Sequence, residues 1–304
     1  MNEIVVVGSV ALDTVHTPGG VSENALGGSA SYFSLAARPY VPVRLVAVVG
    51  DDFPPAYRDM LAKGGVDLAG LQVASGRTFR WEGIYGADLN DRTTVATELN
   101  VFESFHPILP ESCRRSRAVF LANIDPLLQE EVLDQLGDPW LVALDTMNYW
   151  ITCRRAELLR VLRRVDVFLL NDAEARQLTG AESVLKAAEG IRMMGPSVVV
   201  IKRGEYGALA RTEGGWFSIP AFPVESAKDP TGAGDSFAGG MLGRLVLEGK
   251  LDESSVRRAM AHGTAVASCA VEEFGVEGLV RLDPERVTGR VRALHEMTHF
   301  DPEA

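Results

Sequence analysis

Short apolar runs alternate along this chain with longer amphipathic stretches, and that alternation leaves few folds open. Runs at 4–7, 44–49, 118–121, 141–144, 165–170 and 198–201 are almost wholly apolar, the pattern of strands covered on both faces. Between them, residues 29–37, 57–63, 126–136, 154–163 and 183–194 repeat apolar side chains at helical spacing. Strands joined through helices run parallel, so the expectation is an α/β fold, a doubly wound and mostly parallel central sheet flanked by helices. With 304 residues, 46% of them hydrophobic, the chain can bury the core of one large domain spanning 1–304.

One interval breaks the rhythm. Residues 78–102 read as short alternating strands carrying Trp81, Gly83 and Tyr85, with a turn at Asn90-Asp91-Arg92. The segment is expected to be an inserted β-hairpin that could close over a ligand, although a surface hairpin or an oligomer contact would use the same pattern. Tyr85, Asn90 and Arg92, with Trp81, Asn100 and Phe102, could hydrogen-bond sugar hydroxyls or stack a base.

The net charge of −11 argues against a basic face for nucleic acid or an anionic membrane surface. The apolar run after Met-Asn-Glu is too short for a signal peptide, and no segment approaches the roughly 20 apolar residues that span a bilayer. Cys113, Cys153 and Cys269 show neither a disulfide framework nor zinc spacing, and the five histidines lack metal-ligand pairing. A reducing cytoplasm is the expected compartment.

Several stretches carry chemistry. In Asp229-Pro230-Thr231-Gly232-Ala233-Gly234-Asp235, small residues precede an apolar helical run that ends at Gly249, so main-chain N–H groups can approach an anion. A tight turn whose Asp caps the helix would look the same. The segment Gly8-Ser9-Val10-Ala11-Leu12-Asp13 places a carboxylate just beyond the first strand, where open α/β sheets bind ligands. Gly27, Gly28 and Ser29 open a helix with small residues, which allows close ligand approach or close helix packing. Asn171 and Glu174 follow an apolar strand, a placement suited to metal-bound phosphate or to capping a helix. Lys202-Arg203-Gly204-Glu205-Tyr206-Gly207 follows another strand and could face a nucleotide phosphate or form a basic surface turn. No Gly-x-Gly-x-x-Gly follows the first strand, which disfavours a dinucleotide oxidoreductase.

Taken in order, these motifs resemble the signatures of the ribokinase-like, or PfkB, family of carbohydrate and nucleoside kinases, over nearly the whole chain. The resemblance implies ATP-dependent phosphorylation of an alcohol group on a sugar, or alternatively on a nucleoside. It implies Asp235 as general base, with Gly232, Ala233 and Gly234 as the anion hole. Asp13, Gly27, Gly28 and Ser29 would contact the substrate beneath a lid bearing Tyr85, Asn90 and Arg92. Asn171, Lys202, Gly204, Gly207 and Thr231 would lie on the ATP side. Glu174 would hold Mg2+ through water, and Asp229, with Thr231 and carbonyls near Gly275, a monovalent cation such as K+. The lid also implies a homodimer contact. A non-catalytic regulatory protein keeping this fold is the alternative from another class.

Overall fold

The computed structural model describes residues 2–89 and 91–301. Among them the strands are β1 (Ile4–Val7), β2 (Ala11–Thr17), β3 (Gly20–Gly27), β4 (Val43–Gly50), β5 (Val66–Ala74), β6 (Phe79–Tyr85), β7 (Arg92–Glu98), β8 (Ala118–Leu121), β9 (Leu141–Asp145), β10 (Val167–Asn171), β11 (Val198–Lys202), β12 (Ala208–Arg211) and β13 (Trp216–Ile219). They form a nine-stranded sheet, ordered β13-β12-β11-β10-β9-β8-β1-β4-β5, and a four-stranded sheet, ordered β3-β2-β6-β7. From β11 to β5 the large sheet is parallel; β12 and β13 add an antiparallel edge.

The central strands are continuous apolar runs because helices cover both faces. Every residue of β1 and β8 is buried. One core cluster packs the Ser29–Ala37, Ala233–Glu248 and Glu253–Ala270 helices on one face, with Phe33 stacked on Phe120 at 4.3 Å. The other packs the Arg155–Leu162 and Val184–Arg192 helices on the opposite face. The predicted helix at 29–37 matches its observed bounds, and the one beginning beyond Gly232 ends at Gly249 in the left-handed conformation.

The small sheet contains the predicted hairpin and extends beyond it. Besides β6 and β7 from the 78–102 segment, β2 and β3 supply its other half, and β2 pairs with β6 in parallel from Ala11↔Phe79 to His16↔Ile84. Asp13 is therefore not in a loop beyond β1. After Val7 the chain breaks at Gly8-Ser9, where the Ser9 carbonyl accepts the Ala30 N–H, and then enters the small sheet as β2. Parallel β9, β10 and β11 are neighbours whose C-terminal ends carry Asp145, Asn171 and Lys202, the edge where open α/β sheets place ligands.

Candidate active site

Gly232, at φ 72°, turns the chain into the Ala233–Glu248 helix. A side chain there would be strained, and its Cβ would lie 2.3 Å from the Tyr32 ring. The Ala233 N–H donates to the Pro230 carbonyl and the Ser236 N–H to the Gly232 carbonyl, at 3.1 and 2.8 Å. The Ala233 amide expected in the anion hole thus turns inward, because the left-handed residue before it folds the turn back. Gly234 and Asp235 carry the remaining N–H groups of the first helical turn.

Asp229 is buried and ties this turn down. Its two oxygens accept the Thr231 and Gly275 N–H groups, each at 2.9 Å. The Thr231 hydroxyl bonds the Tyr85 hydroxyl at 3.2 Å, linking the turn to β6.

Lys202 reaches over the same turn from the end of β11. Its Nζ lies 2.6 Å from Asp145 Oδ2 and 3.1 Å from where a Gly234 Cβ would stand. Burial works against the Lys202 charge, yet Asp145, Asp235 and Glu174 outweigh it and raise its pKa. Asp145 ends the strand after an apolar run, and only the parallel register of β9, β10 and β11 shows it as the partner of Lys202. Asn148, by contrast, is exposed at the start of the Asn148–Cys153 helix.

Asn171 and Glu174 form a capping box. The Glu174 N–H donates to Asn171 Oδ1 and the Asn171 N–H to Glu174 Oε2, both at 2.8 Å. The capping reading is therefore real, and it holds the Glu174 carboxylate still beside Asp145 and Lys202. Gly204 and Gly207 bracket a short 3-10 turn after Lys202.

Asp13 is buried against the glycine pair. A Gly27 Cβ would sit 1.9 Å from its Oδ2, so only glycine leaves room for this carboxylate. Ser29 is buried and bonds Ser9, its Oγ 3.2 Å from that of Ser9. Arg92 extends from β7 over the Trp81 ring, its Cζ 5.6 Å from the centroid. Asn90 lies outside the described residues.

Asp13, Asp235 and Glu174 crowd together electrostatically. Burial pushes each carboxyl up to about 7, helped at Asp13 by Asp229 and Asp235 and at the other two by Asp145. Lys202 opposes the rise at Glu174 and Asp235, and Arg92 opposes it at all three. Part of Asp235 remains open to the cleft although protein atoms crowd its carboxyl.

Beside the turn lies a cavity of about 730 Å³ lined by Lys202, Gly204, Gly207, Gly234, Phe222 and Val271, among others. That volume suits a small molecule, and the buried Thr264 hydroxyl on its wall has no protein partner. Apolar walls, an orphan hydroxyl and a lysine over helix-end donors fit a nucleotide. Among the described residues no cluster of three or more His, Cys, Asp or Glu could hold a metal ion alone. Glu174 and Asp145 fit only an ion that keeps several of its waters, as Mg2+ does.

Residues 1–280 match the model of the pfkB family carbohydrate kinases. The chain belongs to the PfkB family. Like its relatives it is a kinase, and kinases of this family use ATP with Mg2+. It is 34% identical to a cytidine kinase from Thermococcus kodakarensis over 248 residues, 80% of this chain and 88% of that protein. Among solved structures it resembles the Methanocaldococcus jannaschii nucleoside kinase, with TM-score 0.77, 20% identity, and coverage of 96% of this chain and 99% of that one. An E. coli structure described as ribokinase II, bound to ATP and Mg2+, superposes with TM-score 0.80 at 19% identity, covering 96% and 100% of the two chains. No helix among the described residues is long and apolar enough to cross a membrane.

Proposed function

We propose that this PfkB kinase transfers the ATP γ-phosphoryl group to a hydroxymethyl group on a sugar or on the sugar of a nucleoside. The observation that carries the reading is the convergence of Asp13, Asp235 and the Lys202–Asp145 pair on one helix N-terminus beside the cavity. Asp13 accepts hydrogen bonds from substrate hydroxyls, with Gly27, Gly28 and Ser29 shaping the floor. Asp235 accepts the proton of the attacking hydroxyl. Its pKa near 7 makes it a stronger base than an ordinary carboxylate, and the proton leaves late, as bond-making to phosphorus acidifies it. The donors of Gly234 and Asp235, with Lys202, bear the charge on the transferring group. Mg2+, when bound, neutralises phosphate charge, and Glu174 orients its water shell.

Residues 78–102 belong to the lid, with β2 and β3 as its other half, on a single unit of 1–304. A homodimer is proposed through the outer face of this sheet, where Val21 and Ile84 stand exposed beside His16. Three free cysteines suit a reducing cytoplasm. K+ enters only as an extension at Asp229 and Thr231, because both Asp229 oxygens already accept main-chain N–H groups.

Asp235→Asn is expected to retain the fold and ATP binding while kcat falls by roughly 10²–10⁴, the usual contribution of a positioned base. A coupled ADP-release assay with Mg-ATP measures it, and near-normal turnover would remove Asp235 as base.

A further inference from the structure

The inner face of the small sheet carries an aromatic plate beside Asp13. In the parallel register of β2 and β6, Asp13 pairs with Trp81 and Val15 with Gly83, so Asp13, Trp81, Gly83 and Tyr85 share the face turned toward Asp235. Residues paired across neighbouring strands stand about 5 Å apart, close enough for one ligand to touch both.

The Trp81 indole lies flat along this face instead of standing away from it. A Cβ at Gly83 would be 2.1 Å from its Cη2, so the missing side chain at Gly83 is what lets the ring lie down. The indole N–H reaches Thr94 Oγ1 on β7 at 3.4 Å, which fixes the long axis of the ring across the sheet. Trp81 remains only partly buried. The Arg92 guanidinium stands over the outward face of the ring, its Cζ 5.6 Å from the centroid, so a base stacking there displaces Arg92 from a face that already holds a flat cation.

We infer that Trp81 is the stacking platform for a nucleobase and that the acceptor is a nucleoside. This inference rests on the kinase reading above. A nucleoside would place its hydroxymethyl group at Asp235, its ribose diol at Asp13 and its base on the indole, whose π-face accepts any aromatic base. Ribose or fructose would satisfy Asp13 and Asp235 but leave the indole face to Arg92.

The test uses the full chain with Mg-ATP and measures ADP release with cytidine, uridine, adenosine, inosine, ribose and fructose. At least one nucleoside should exceed both sugars in kcat/KM by roughly 10-fold or more, the size of one base–aromatic stack. Trp81→Ala should raise the nucleoside KM by about 10- to 100-fold with little change in the KM for ATP, while Trp81→Phe keeps most of the affinity. Gly83→Ala, which forces the indole off the sheet, should reproduce the Trp81→Ala defect without touching Trp81. The unchanged KM for ATP separates a lost platform from a damaged fold. Sugars outpacing nucleosides, or a nucleoside KM untouched by Trp81→Ala, would overturn the platform while leaving the kinase reading intact. ADP release with none of the acceptors would count against the kinase reading. Quenching of tryptophan fluorescence by cytidine or adenosine, present in the wild type and lost in Trp81→Phe, would then still support the base site, and its absence would overturn it.

Discussion

Gly232 shows how one residue holds the candidate site together. Its left-handed backbone starts the helix, and the Tyr32 ring occupies the space where its side chain would be. Gly232→Ala therefore meets both a φ penalty and a clash. Its expected cost is about 1–3 kcal/mol of stability, together with loss of turnover as the Gly234 and Asp235 donors shift. Urea unfolding and the ADP-release assay read the two effects. Asp235 could be singled out from the sequence because its setting is local, a carboxylate three residues into a helix that begins with small residues. Asp145 was not, because its partner Lys202 lies 57 positions away and only strand register brings them together. Asp13 was singled out next to the first strand but lies on the small sheet, since nothing local shows that the chain leaves one sheet for another at Gly8-Ser9.

Among elements, the buried parallel strands were readable because both of their faces are apolar. β3 was not: it runs Gly-Val-Ser-Glu-Asn-Ala-Leu-Gly, mostly exposed and without alternation, and it becomes a strand through pairing with β2. β5, β12 and β13 also went unrecognised, and each lies at or next to an edge of the large sheet. The Pro284–Thr298 helix carries an attachment that periodicity does not show. Its nearly buried Arg290 donates to Ser268 Oγ at 2.7 Å and to both oxygens of Glu272, and it stacks on Phe222 at 4.7 Å. Ser268 and Phe222 both line the cavity beside the glycine turn. Arg290→Met leaves Glu272 with Arg286 alone and should cost about 3 kcal/mol, near the lower end for breaking a buried ion pair. Urea midpoints check the stability, and a rise in the KM for ATP at near-constant kcat would show that this packing supports the cavity wall.

At the scale of the molecule, folding gathers acids that the chain keeps apart. Asp13, Glu174 and Asp235 hold protons up to about pH 7 in the folded state and release them near pH 4 when unfolded. Between those limits the folded state binds more protons, so each of the three lowers stability as pH rises, by up to about 1.4 kcal/mol per pH unit. His262 works the other way. Burial, with Arg244 nearby, pushes it down to about 4, so its contribution rises between pH 4 and about 6.5. Three groups outweigh one, and the metal-free, nucleotide-free protein should be more stable at pH 5 than at pH 7.5 by urea unfolding. Asp235→Asn should flatten that slope; equal slopes in variant and wild type would mean that Asp235 ionises normally.

The sequence by itself determined the α/β class, the small-residue turn at 232–234, the glycine pair and the family, because each rests on residue types at short spacing. Tertiary structure alone decided that Asp13 rides on the small sheet, that Asp145 partners Lys202, that the Ala233 amide turns inward and that Trp81 lies flat beside Asp13. These depend on strand register and on which side chains share a face, and no local spacing in a chain encodes either.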